Sequence, residues 1–203
     1  MRSSVLDEDS FWGFCRVVES LICVDLGSNL YHCSPAGLFR SSHYKYVRIF
    51  SDNRLWDYLG LRREAYILFF RDPLILLRIL ISSKFFNERS FKDLVSSGSL
   101  VTLAHFTKID ENDLQRIYLV DPLKDLKICC NDPASIPRIC RAENMLVELL
   151  IHYTRRNIYA RDTGEEFLKR RFLLDQLSKD LMRLGYFNKH TIEDIDLILR
   201  SIL

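Results

Sequence analysis

The stretch from Ala65 to Phe86, A-Y-I-L-F-F-R-D-P-L-I-L-L-R-I-L-I-S-S-K-F-F, is the most apolar in the chain and constrains any fold it can adopt. Asp72-Pro73 interrupts it. Proline is accommodated in a first helical turn, where its missing N–H would lack a partner, and a preceding Asp accepts from the next free amides. The pattern predicts Asp72 as an N-cap and a helix over about 73–84. Its apolar residues, Leu74, Ile75, Leu76, Leu77, Ile79, Leu80 and Ile81, project in every direction, with Arg78 the one charge among them. A helix apolar all round is buried on all sides, in a bundle or in a membrane. Arg71, Asp72 and Arg78 fall inside the stretch, and a charge near the bilayer centre costs about 2.5–3.5 kcal/mol. The expectation is a soluble core with no membrane span.

The expected fold class is mostly α, a compact helical bundle around this central helix. A first helix is expected from Asp9 or Ser10 to Gly27, with Phe11, Phe14, Cys15, Val18, Leu21 and Ile22 at helical spacing. Further helices are expected from Asp52 to Gly60, from Asn87 to Ser97, after Asp110 and after Asp121-Pro122. A small β element is expected near 43–50, H-Y-K-Y-V-R-I-F, where aromatic and β-branched residues dominate. Its candidate partners, Ala65–Phe70 and Leu100–Phe106, read equally well as helix. Asp132-Pro133 and Pro137 mark a weak boundary at 131–140. It divides a helical core, 1–130, from amphipathic C-terminal helices, 141–203, packed on it as one folded unit. Thr163-Gly-Glu-Glu166 has the form of a capping box opening a helix to about Leu184.

Charge and cysteine usage narrow the function classes. Among 203 residues, 29 Lys and Arg offset 27 Asp and Glu, a formal net charge of +2. A general electrostatic nucleic-acid binder shows a clear basic excess, which is absent here. The six cysteines, Cys15, Cys23, Cys33, Cys129, Cys130 and Cys140, sit mostly in apolar segments, and the N-terminus lacks the apolar core of a signal peptide. Free thiols in a reducing compartment, cytoplasmic or nuclear, are expected.

The seven glycines are dispersed, so no loop gathers backbone amides around a phosphate as P-loops and dinucleotide fingerprints do. His32-Cys33, Cys129-Cys130 and Cys140 are the metal-ligand types available. No C-x-x-C occurs, and adjacent cysteines rarely supply a structural zinc site, so no metal is expected. The five histidines are scattered and no G-x-S-x-G elbow is present. Glu165-Glu166 and Glu193-Asp194 fall in first helical turns, where the helix dipole accounts for them. No catalytic residue, cofactor or enzymatic activity is expected.

The remaining feature is a basic cluster, Arg155, Arg156, Arg161, Lys169, Arg170 and Arg171. On the helix after Thr163, Leu168 and Phe172 form an i, i+4 apolar pair opposite the main apolar face. Such a helix either sits between layers or offers its second strip to a partner. The sequence therefore points to a non-enzymatic helical interaction factor: an adaptor, assembly subunit or regulator, of virus-encoded or lineage-specific type. Its partner would be another protein or a second copy, contacted through Leu168, Phe172, Arg170 and Arg171. The alternative is an RNA- or DNA-binding regulator using Arg155, Arg156, Arg161, Lys169, Arg170 and Arg171.

Overall fold

A computed structural model describes residues 4–42, 44–72, 75–76, 79, 84–154, 164–185 and 189–202. The chain divides into two compact units, one of residues 1–13 and 17–139 and one of residues 14–16 and 140–203.

The first unit is built on strands. After a short helix, α1 (Asp9–Trp12), come β1 (Val17–Gly27), β2 (Leu30–Arg40) and β3 (Lys45–Phe50). Helix α2 (Leu55–Leu61) leads to β4 (Glu64–Phe69). Then follow β5 (Phe85–Asn87), α3 (Glu88–Ser97), β6 (Leu100–Glu111) and β7 (Gln115–Ile128). Each neighbouring pair is antiparallel, in the order β2-β3-β7-β6-β4-β1, and β1 returns to pair with β2. Six strands thus close into a barrel, and β5 adds to the free part of β2. Closure removes the unpaired edges that an open sheet would expose.

Register assigns the faces, because directly opposed residues share one side of a sheet. Val18 opposes Leu38, which opposes Val47, which opposes Tyr118. Ile22 opposes Ser34 on one side and Ile67 on the other, and Ile67 opposes Thr102. All eight are buried and fill the barrel interior. The opposite face carries Leu21, Cys23, Cys33, Leu68, Phe70 and Val101, which cluster with Phe91 and Leu94 of α3 and with Ile79. The β1–β2 turn has Ser28 and Asn29 at φ of 52° and 60°, the double left-handed geometry that suits the twist of paired strands.

The helical bundle expected from sequence is therefore corrected to an antiparallel barrel. β1 lies where the first helix was expected. Val17, Val18, Leu21, Ile22, Cys23 and Val24 are all fully buried, because both faces of this strand are covered. Such a strand shows no alternation, and its continuous apolar run satisfies a helical template as well as a strand one. The segments after Asp110 and Asp121-Pro122 lie in one strand, β7, of the β6–β7 hairpin, whose register shifts three times to absorb extra residues. The element near 43–50 is a strand, Lys45–Phe50, but one of a barrel rather than an accessory. Of the proposed central helix, Ile75, Leu76 and Ile79 are described. They are helical and pack on the outer face of the sheet instead of forming a bundle axis. Pro73, Leu74, Leu77, Arg78 and 80–83 lie outside the described residues. The Asn87–Ser97 helix has Asn87 as its cap, accepting from the Ser90 amide at 2.9 Å.

The second unit contains α4 (Arg141–Thr154), α5 (Gly164–Leu184) and α6 (Lys189–Ile202), with α4 packed on both others. The Arg16 amide donates to the Leu184 carbonyl at 2.8 Å, and Cys15 is disulfide-bonded to Cys140. A second disulfide joins Cys23 to Cys33, cross-strand partners in β1 and β2. Four cysteines expected as free thiols in a reducing compartment are thus paired in disulfides. No described helix is long and apolar enough to cross a membrane.

The barrel buries some leucines fully and leaves others in water. Leu38 is fully buried and Leu61 is 81% exposed. Leu38→Ala should cost about 2–5 kcal/mol, roughly a 5–15 °C fall in Tm by calorimetry. Leu61→Ala should stay within about 0.5 kcal/mol.

Candidate functional site

Two adjoining cavities, of about 320 and 550 Å³, open where α2 ends and β4 begins, and they share Arg63 and His105. The smaller is lined by Leu59, Gly60, Phe106, Thr107, Lys108 and Tyr118 in addition to the shared pair. The larger is lined by Asp25, Gly27, Arg62, Glu64, Tyr66 and Leu103, among others. Each volume lies in the range of small-molecule sites, about 300–1,000 Å³.

Backbone hydrogen bonds fix the wall that carries the charges. The Arg62 amide closes α2 on the Tyr58 carbonyl at 2.8 Å, and the Phe106 amide donates to the Arg63 carbonyl at 2.7 Å. Arg63 is thereby tied to β6 while its side chain stays in solvent. Glu64 opposes His105 in the β4–β6 register. Arg116 secures α2 from behind. Its Nη1 donates to the Trp56 carbonyl at 2.6 Å, its Nε donates to Glu111 at 2.6 Å, and the guanidinium lies 4.0 Å from the Trp56 ring centroid. Lys108 is ion-paired with Glu111. At the inner end, burial pushes the Tyr118 hydroxyl above its ordinary pKa, so it stays protonated at neutral pH.

The cleft sets Arg62, Arg63 and Lys108 against Asp25 and Glu64, with Tyr66 and His105 as flat surfaces and the buried Phe106 and Tyr118 at its base. Guanidinium groups favour planar, bidentate recognition of phosphate or carboxylate, and aromatic faces suit a planar ring. Chemically, the arrangement fits an anionic ligand with an aromatic portion.

The residues singled out from sequence lie elsewhere. Arg155, Arg156 and Arg161 are outside the described residues. Lys169 pairs with Glu165 at 2.6 Å, Arg171 is exposed and Arg170 is half-buried, all on α5. None of the three lines either cavity. Leu168 and Phe172, also on α5, are 64% and 66% exposed. The metal-ligand candidates are dispersed too: Cys33 and Cys140 are in disulfides, and His32 is buried in the barrel. Among the described residues, Cys15, Cys140 and Glu143 come close enough to hold an ion, but the two sulfurs are bonded to each other. Sequence reasoning missed Arg62, Arg63 and Lys108. The available signal was L-G-L-R-R-E, a basic pair immediately after a helix and before an apolar strand.

No protein-family model matches the chain, and no curated protein matches it in sequence. Solved structures are similar to it. One is an FMN-bound protein from Methanosarcina mazei, described as DUF447, with 15% identity and a TM-score of 0.49 over 95% of this chain and 98% of that one. Another is the NADH:FAD oxidoreductase SgcE6 of Streptomyces globisporus, with 8% identity and a TM-score of 0.45 over 55% of this chain and 75% of that one. A third is BorF, the flavin reductase component of a bacterial two-component tryptophan halogenase, with 11% identity and a TM-score of 0.43 over 64% and 94%. The barrel corrects the functional expectation: the non-enzymatic helical interaction factor loses the bundle it rested on.

Two predictions follow from side-chain placement. His32 is fully buried between Tyr58 and Phe85, at 4.9 and 5.1 Å between ring centroids, and neither ring nitrogen has a hydrogen-bond partner. Burial, reinforced by the Lys84 and Arg54 charges, lowers its pKa from 6.5 to about 4. The unfolded chain then binds the extra proton first, so stability is lost as pH falls from 6.5 towards 4, by up to about 1.4 kcal/mol per pH unit. Urea midpoints across this window should fall less steeply for His32→Leu. On α5, the double variant Leu168→Asp, Phe172→Asp should keep the wild-type circular dichroism and lose no more than about 1 kcal/mol, because both side chains are in water.

Proposed function

We propose that the chain is a flavin-binding protein of oxidoreductase type, with the cleft around Arg63 as the cofactor site. The supporting observation is the shared pair of cavities, basic at Arg62, Arg63 and Lys108 and lined by the aromatic rings of Tyr66 and His105, with Phe106 and Tyr118 buried at the base. A flavin mononucleotide requires these two properties together, a cationic hold on phosphate and flat surface for a tricyclic ring. The residues present fit it. Arg63 stands on the wall common to both cavities and is engaged by no hydrogen bond or ion pair among the described side chains, so its guanidinium is available to a phosphate. Lys108 gives a second, point-like charge, and Tyr66 and Leu103 line the larger volume with aromatic and aliphatic surface.

A bound flavin would supply a hydride acceptor and donor, chemistry that side chains do not provide. The protein's part is to bind and orient it and to limit water on one side. Gly27 and Gly60 keep the approach to the cavities low. A side chain at Gly27 would contact Arg62, and one at Gly60 would contact Arg116.

Titration of flavin mononucleotide by fluorescence quenching tests the proposal, with riboflavin, which lacks the phosphate, as the control. Arg63→Gln with Lys108→Gln should weaken the mononucleotide at least about tenfold, since one charge-assisted hydrogen bond contributes roughly 1.5–3 kcal/mol. Riboflavin affinity should change less than about twofold on the same reasoning. Loss of both ligands alike, or no saturable binding by the wild type, overturns the proposal. Oxidation of reduced nicotinamide by the loaded protein tests the oxidoreductase part.

A further inference from the structure

Cys129 and Cys130 follow β7, and of the six cysteines they are the two outside disulfides. Their Sγ atoms lie 3.5 Å apart, with Cys129 exposed and Cys130 partly so. Adjacent side chains on an extended strand point to opposite faces, so this approach reflects the turn that begins here. The turn is anchored at both ends. The Cys129 amide donates to the Ser99 carbonyl at 2.9 Å. The Cys130 thiol reaches the Asp132 carbonyl at 3.7 Å, and Asp132 caps the next turn by accepting from the Ala134 amide at 3.1 Å and the Ser135 hydroxyl at 2.6 Å.

We propose that Cys129 and Cys130 form a two-thiolate chelate for a soft, thiophilic metal or metalloid centre of bent coordination. The spacing carries the assignment. With thiolate–metal bonds of about 2.3 Å, a sulfur separation of 3.5 Å subtends roughly 100° at the centre. That suits three- or four-coordinate zinc-like or trivalent arsenic centres. Linear two-coordination would need about 4.6 Å between the sulfurs. Two protein ligands leave the remaining positions to solvent or to a substituent the centre already carries.

A soft centre that binds both sulfurs displaces both thiol protons. The site also stands apart from the cleft: neither cysteine lines either cavity.

Phenylarsine oxide is the probe, because its arsenic carries one fixed substituent and two exchangeable positions. Two As–S bonds form, the As=O bond is lost, and the oxygen leaves as water with the two thiol protons, with no change in oxidation state. Mass spectrometry of the intact protein should show one adduct per chain that survives excess monothiol and is removed by a vicinal dithiol. Cys129→Ser and Cys130→Ser should each weaken binding at least about 100-fold, since each leaves one bond where two are needed. On the wild type, the arsenical should shield both cysteines from alkylation, a readout independent of how the variants fold. Retention of the adduct in either variant, stripping by monothiol, or protection of only one cysteine overturns the proposal.

Discussion

Everything in the first unit depends on β1 being paired along both edges. It holds β2 over nearly its whole length and meets β4 through Leu21, Ile22 and Cys23. That double pairing turns a row of hairpins into a closed barrel and buries a strand with no polar face. A closed barrel needs its interior filled by side chains of suitable size, and Ile22, Val47, Ile67, Thr102 and Tyr118 supply a mixture of small, branched and large groups. The price is that polar groups caught inside must do without water. His32 is the case in point, kept neutral by burial in the company of Tyr58 and Phe85.

Closure also creates the cleft. Because β6 runs beside β4 and continues beyond it into the β6–β7 hairpin, the chain entering β4 from α2 passes along the edge of β6, where the Phe106 amide donates to the Arg63 carbonyl. Arg62 and Arg63 then project from a segment whose backbone is held on both sides. Charges on a fixed backbone lose less entropy on meeting a ligand than charges on a free loop. The Arg116 guanidinium, engaged with Glu111 and Trp56, keeps α2 seated and so fixes the wall of the smaller cavity.

Local signals in the sequence were reliable where they depended on neighbours in the chain. Asn87 caps the helix Glu88–Ser97, which ends at Gly98, and Lys45–Phe50 is a strand, as its aromatic and β-branched content indicates. The long α5 helix spans Gly164–Leu184, with Leu174, Leu177, Leu181 and Leu184 buried along one side. Strands covered on both faces were not legible, because burial on both sides erases the alternation that marks a strand. The Asp121-Pro122 pair imitated a helix start for a related reason. Beside a register shift, proline's missing N–H costs a strand little. The cleft was illegible because its cations, Arg62, Arg63 and Lys108, are separated in the chain by the whole of β4, α3 and most of β6.

The sequence by itself determined that this chain has a substantial core, that its C-terminal third is helical, and that no local motif for phosphate loops or a structural zinc is present. These follow from composition, short-range periodicity and capping, all of which act over a few residues. Only the tertiary structure decided that the apolar segments of the first 130 residues pair as a barrel, that Cys23 meets Cys33 across β1 and β2, and that Arg63 and His105 stand on one wall of a cleft. Strand partners are chosen by the simultaneous fit of register, twist and interior volume among six segments, and no single segment carries that information.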